Sequence, residues 1–161
     1  MYSAYSIANA FIERALARRI PDLSSMKLQK LMYFAQAHHL KRWGRPLFED
    51  TFTRGRFGPM LPSILHQVKA YGTRPITQTI RALSGDNDRD NWCTPTLPSK
   101  HVDAHHFIDQ ITGLYGGRSA QALSDLTHLP GSAWSHGGAD GSPISNAMIR
   151  NDPTLSGEFN V

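Results

Sequence analysis

Two stretches near the start of the chain repeat apolar residues at every third or fourth position, and that spacing commits both to α-helix. Between Ser3 and Arg19 the residues Ile7, Ala8, Phe11, Ile12, Ala15 and Leu16 draw one stripe. Ser3 or Ser6 can cap this helix, and Pro21 stops it. Between Ser24-Ser25 and Gly44 the residues Leu28, Leu31, Phe34, Ala35 and His38 fall near one face of a second helix. Gly44 suits a helix C-terminus, and Pro46 follows it. Lys27, Gln29, Lys30, Tyr33, Gln36 and His39 are expected on the less apolar sides of that helix.

The remainder adds shorter pieces. β-Formers at spaced positions from Leu47 to Phe57, interrupted by Gly55, predict short strands or a hairpin, with a turn at Gly58-Pro59. Pro62-Ser63 opens a third helix that turns Ile64, Leu65 and Val68 inward and ends at Tyr71-Gly72. Periodicity is lost between 73 and 100, and the run from Ser84 to Asn91 has the composition of a mobile loop. A fourth helix begins at His101 or Val102 and buries Phe107, Ile108, Ile111 and Leu114. Ser119 caps a fifth around Leu123 and Leu126, and Pro143 opens a last one through Ile149. The expected fold is α+β and mainly α, a compact domain of five to six helices with a small antiparallel β element. It should occupy residues 1–150, leaving 151–161 as a flexible C-terminal tail.

A chain of 161 residues can bury a sizeable single core without covalent help. One cysteine, Cys93, cannot form an internal disulfide, which predicts a reducing, cytoplasmic setting. No apolar run approaches the ~18 residues of a membrane span, and Arg14, Arg18 and Arg19 do not fit a signal peptide. The net charge of +4 is uneven. Residues 13–56 carry ten Lys/Arg against four Asp/Glu, net +6, and the rest carries seven against nine, net −2. A basic half can meet nucleic acid or an acidic protein, so charge does not choose between them.

Chemistry-bearing clusters are sparse. His101 and His105 stand at the i, i+4 spacing that can share zinc, with His106 beside them, but no third or fourth ligand spacing accompanies them. They are expected to face solvent or cap a helix. Ser124 and His128 could pair as nucleophile and base of a hydrolase, yet no strand-turn-helix elbow surrounds them. Nothing in the sequence around Cys93 marks it as a nucleophile. No cofactor or metal is expected. The one dense mixture is Lys27, Lys30, Lys41, Arg42, Arg45, Arg54 and Arg56 interleaved with Tyr33, Trp43, Phe48, Phe52 and Phe57. It reads as a protein interface, a nucleic-acid surface, or a solvated face over core aromatics.

The run Met26-Lys-Leu-Gln-Lys-Leu-Met-Tyr-Phe-Ala-Gln-Ala-His-His-Leu40 resembles the signature of the Panacea domain family, also described as SocA-like or phage-associated GepA-like. The likeness continues through Gly44-Arg-Pro-Leu-Phe48, Phe57-Gly-Pro-Met-Leu-Pro62, Tyr71-Gly72, Tyr115-Gly-Gly-Arg-Ser119, Leu123-Ser-Asp-Leu-Thr-His128 and Trp134, covering about Tyr2 to Ile149. Phe57 stands where the family commonly has tyrosine, and His38-His39 where it often has tryptophan-histidine; residues 84–100 match no family motif. The resemblance implies an antitoxin that neutralises a cognate protein toxin by direct contact. In the SocA-like branch it implies a proteolytic adaptor that presents its toxin to a ClpXP-type protease. It implies no catalytic residues. A nucleic-acid-binding regulator is the less favoured alternative. Expected partner-binding residues are Lys27, Lys30, Tyr33, Trp43, Arg54, Arg56, Phe57, Thr127, His128 and Trp134, with Arg54 and Arg56 meeting acidic residues and Trp43 or Phe57 as apolar anchor.

Overall fold

The computed structural model describes residues 1–83 and 91–155. Among these are six α-helices and five short strands: α1 (Ala4–Leu16), α2 (Ser25–Trp43), β1 (Phe52–Gly55), β2 (Gly58–Met60), α3 (Pro62–Val68), β3 (Ala82–Leu83), β4 (Trp92–Cys93), α4 (Val102–Tyr115), α5 (Ala120–Thr127), β5 (Pro143–Ile144) and α6 (Asn146–Arg150). The mainly helical architecture with a small antiparallel sheet is the one its periodicity predicts. Four of the helices start on a serine, Ser3, Ser24, Ser119 and Ser145, whose hydroxyl accepts a backbone N–H of the first turn. Gly44 closes α2 in the left-handed conformation, at φ 70°.

Helix α2 is the axle of the fold. It contacts α1, α3, α4, α5, α6 and β2, so nearly its whole circumference is covered. Leu28, Leu31, Met32, Phe34, Ala35 and Ala37 supply the apolar packing, and Phe34 stacks on Tyr115 of α4 with ring centroids 4.2 Å apart. The polar residues expected to face solvent are buried too, apart from the half-buried His39. They reach out to backbone groups of the segments packed around the helix. Gln29 donates to the Leu61 carbonyl (3.1 Å) and accepts the Leu61 N–H (2.8 Å). Gln36 does the same for Phe48 O (2.9 Å) and Leu47 N–H (2.8 Å). In α1, Asn9 grips Ile80 through both its N–H and its carbonyl, at 2.7 and 2.9 Å. Each amide stands in for a strand partner, satisfying irregular backbone that burial would otherwise leave unpaired.

Strands β1 and β2 form a hairpin in which Arg54 lies opposite Pro59 and Gly55 opposite Gly58. Its two-residue turn is therefore Arg56-Phe57. Gly58-Pro59, expected to turn the chain, instead opens the second strand. β5 adds to the other side of β1, with Phe52 opposite Ile144, giving the order β2-β1-β5. This pairing also corrects the last helix: Pro143 is a strand residue, and Ser145 caps α6 two residues later.

Residues 151–155, expected as the start of a flexible tail, pack against the domain. Asp152 and Leu155 are buried, because the Asp152 carboxylate accepts the Ala133 N–H (2.9 Å), the Tyr33 hydroxyl (3.3 Å) and the Thr154 N–H (2.9 Å). The first two tie 151–155 to the loop after α5 and to α2. Between 73 and 100, Ile76, Ile80 and Leu97 enter the core without helical or strand periodicity, and β3 pairs with β4. The loop expected at 84–91 lies, but for Asn91, outside the described residues, as does 156–161.

Candidate partner interface

Five of the ten residues expected at a partner surface are buried inside the protein: Lys27, Lys30, Tyr33, Arg54 and Thr127. Each has an internal task. Lys27 donates to the Pro21 carbonyl (2.6 Å) at the approach to α2. Lys30 donates to the Pro59 carbonyl (3.0 Å), and burial pushes its ammonium down to about 8. Tyr33 holds Asp152, and burial, then the Asp152 charge, pushes its phenol well above the usual range. Thr127 donates back to the Ser124 carbonyl (2.6 Å) of its own helix.

Arg54 departs most from expectation. Its guanidinium donates to the carbonyls of Trp134 (3.1 Å), Pro143 (2.9 Å) and Ala133 (3.1 Å) and to the Ser142 hydroxyl (3.0 Å). The planar fork suits this role, since it can satisfy several main-chain acceptors from one position. Arg54 cannot meet an acidic partner from there. It pins the segment from Ala133 to Pro143 against β1.

That pinning builds an outer surface. The Arg56-Phe57 turn projects outward, with Phe57 54 % exposed and the Arg56 guanidinium 5.5 Å from its ring. Trp134 donates its indole N–H to the Gly55 carbonyl (2.9 Å), and Ser124 its hydroxyl to the Phe57 carbonyl (2.7 Å). Both ends of the turn are thus clamped, one by α5 and one by the loop after it. The His128 ring lies 3.9 Å from the Trp134 ring, and Leu129 beside it is exposed. Gly58 is required beneath the turn: its φ is +114°, and a Cβ there would collide with the Thr127 hydroxyl. Arg56, Phe57, His128 and Trp134 of the expected set are therefore brought together, and Leu129, which the sequence reading omitted, joins them.

Trp43 is elsewhere. It sits at the far end of α2 against His39 and Phe107, with centroids at 4.7 and 5.3 Å. Thirteen residues of helix separate it from Lys30, which touches the β1–β2 hairpin, so the two places are about 20 Å apart at 1.5 Å per residue.

The catalytic and metal alternatives can be located as well. The Ser124 hydroxyl is committed to Phe57, and His128 Nδ1 faces the Ser124 carbonyl at 2.6 Å, not its hydroxyl. His101 bonds the Tyr2 hydroxyl (2.9 Å), and His105 faces the carbonyls of Leu97 and Pro98 (3.2 Å each). No group of three or more His, Cys, Asp or Glu among the described residues is placed to hold a metal. No helix among them is long and apolar enough to cross a membrane.

A helical domain with an α2 axle, clamped hairpin and paired C-terminal strand is the form in which the Panacea signature is realised here, and residues 28–135 match the family described as "Antitoxin SocA-like, Panacea domain". The chain belongs to that family. Among characterised proteins it is similar to Antitoxin SocA of Caulobacter vibrioides (strain NA1000 / CB15N), with 32 % identity over 131 residues, 81 % of this chain and 68 % of that protein. No solved structure matches.

Proposed function

We propose that this chain is an antitoxin that binds and neutralises a protein toxin, using the surface formed by Arg56, Phe57, His128, Leu129 and Trp134. The family and the antitoxin relative support the role. The observation that carries the surface is a large apolar side chain held outward on a turn clamped at both ends. Such a residue loses little freedom on binding, which favours it as an interface anchor. Binding without catalysis fits a cluster whose serine and histidine are engaged with main-chain carbonyls. Presentation of the bound toxin to a ClpXP-type protease is a second step that the same reading accommodates.

The nucleic-acid alternative is weakened by burial. Four of the ten cations between residues 13 and 56, Arg14, Lys27, Lys30 and Arg54, are turned inward, so the basic half is less basic at its surface than along the chain.

Co-expression with each adjacent gene tests the role: one neighbour should be toxic alone and harmless with this chain. Phe57→Asp and Arg56→Glu should each weaken binding of that neighbour at least about tenfold by calorimetry, with the fold intact. If no neighbour is toxic, the antitoxin role fails. If neutralisation survives both substitutions at unchanged affinity, the surface is wrong.

A further inference from the structure

Three residues of the proposed toxin surface, His128, Leu129 and Trp134, stand on one short stretch between α5 and β5. Residues 151–155 hold that stretch from its inner side. The buried Asp152 carboxylate accepts the Ala133 N–H (2.9 Å) through Oδ2, and a Cβ at Gly131 would touch the Pro153 ring at 3.9 Å. Ala133 is gripped at its carbonyl too, by the Arg54 guanidinium (3.1 Å). Trp134 follows directly, and its indole N–H reaches the Gly55 carbonyl at the base of the Arg56-Phe57 turn (2.9 Å). A continuous path of bonds therefore runs from Asp152 through Ala133 and Trp134 to the turn that carries Phe57.

The far end of this path is itself anchored. Asp152 Oδ1 accepts the N–H (2.9 Å) and the hydroxyl (2.6 Å) of Thr154, and Oδ2 also accepts the Tyr33 hydroxyl (3.3 Å). The Lys41 ammonium donates to the carbonyls of Arg150 (2.8 Å) and Asp152 (2.7 Å), and Leu155 is buried. A carboxylate suits the junction, because its two oxygens accept from the segment's own turn and from the loop at once.

We propose that residues 151–155 form a strap that sets the geometry of the toxin surface, with Asp152 as its positioning residue. This role rests on the toxin surface read above. Asp152 lies beneath that surface and acts through Ala133 and Trp134, not by touching the toxin. A surface already in place loses less freedom on binding, so a loosened strap weakens affinity although no toxin contact is removed. The coupling is reciprocal: a toxin that fixes Trp134 also fixes the strap.

Hydrogen exchange on the free ¹⁵N-labelled full chain tests the path without a toxin. Asp152→Ala should speed exchange of the Trp134 indole N–H at least about tenfold more than it speeds the Leu31 amide in the core of α2. Lys41→Met frees the strap at a point eight residues beyond Tyr33 on α2, about 12 Å away, and should act in the same direction even where Asp152→Ala does not fold. Both variants should then bind the toxic neighbour at least about fivefold more weakly by calorimetry. Asn9→Ala, which releases Ile80 and Pro95 between α3 and α4, should lower stability and leave affinity unchanged. Toxin binding should in turn slow exchange of the Thr154 amide. Equal acceleration at Trp134 and Leu31 overturns the strap's role. So does unchanged affinity in both strap variants where Phe57→Asp still weakens binding; unchanged affinity in Phe57→Asp as well removes the surface on which the role rests.

Discussion

Replacing Gln29 with methionine removes a two-point grip on Leu61 while keeping nearly the same volume at a fully packed site. The Gln29 amide both donates to the Leu61 carbonyl and accepts its N–H. These two losses are unequal. The carbonyl keeps a second partner, the Leu65 N–H at 3.0 Å in the first turn of α3. Among the described residues the N–H has no other partner, and it sits in a fully buried residue. Orphaning a buried donor costs about 1–3 kcal/mol, and losing the second, replaceable bond costs about 1 more. Methionine fills the space of the glutamine with little cavity or strain, under about 1.5 kcal/mol. The two hydrogen-bond losses alone come to about 2–4 kcal/mol, a large part of the 5–15 kcal/mol typical of a domain. At a urea slope of about 2 kcal/mol per molar, the unfolding midpoint should fall by about 1–2 M with the slope unchanged. A shift below about 0.3 M would refute the view that α2 holds its neighbours through their main chain.

Other consequences are as direct. Lys30 is charged in both folded and unfolded states below about pH 8, so its burial cost is fully present there. Between about 8 and the ordinary value of 10.5 the folded form loses its proton first, and stability should rise with pH by up to about 3 kcal/mol. Lys30→Met should flatten that rise when urea midpoints of the two proteins are compared from pH 7 to 10; parallel profiles would contradict it. Gly58→Ala combines a positive φ with a collision against Thr127, and should lower the melting temperature by at least about 5 °C, read by calorimetry. Truncation after Arg150 removes the Asp152 carboxylate from Tyr33 and Ala133, and should destabilise by about 2–4 kcal/mol in the same urea assay.

Helix positions were legible wherever an apolar stripe met a serine or glycine terminus, as in α1, α2 and α5. The hairpin was legible as a hairpin, but its turn was placed two residues late, because Gly58-Pro59 reads as a turn while pairing as a strand. Burial of the polar residues was not legible. A glutamine or lysine in a helix is ordinarily solvated, and its sequence does not say that six other elements surround that helix. A signal was present all the same: polar residues of α2 are scattered around its circumference instead of gathering on one side, which leaves no solvent face. Arg54 was misplaced for a related reason, since an arginine beside aromatics reads as an interface until its carbonyl partners, some eighty residues away, are known.

The glutamines and asparagine at the centre of the fold engage peptide groups, and a peptide group is the same whatever side chain it carries. Leu61, Phe48 and Ile80 are held as backbone positions. Substitution in the loops they anchor therefore leaves the grip intact, so long as the chain keeps its course. An inheritance of new loop sequences need not be matched by compensating change in the axle helix. The outer loops can therefore change in sequence while the scaffold beneath stays foldable.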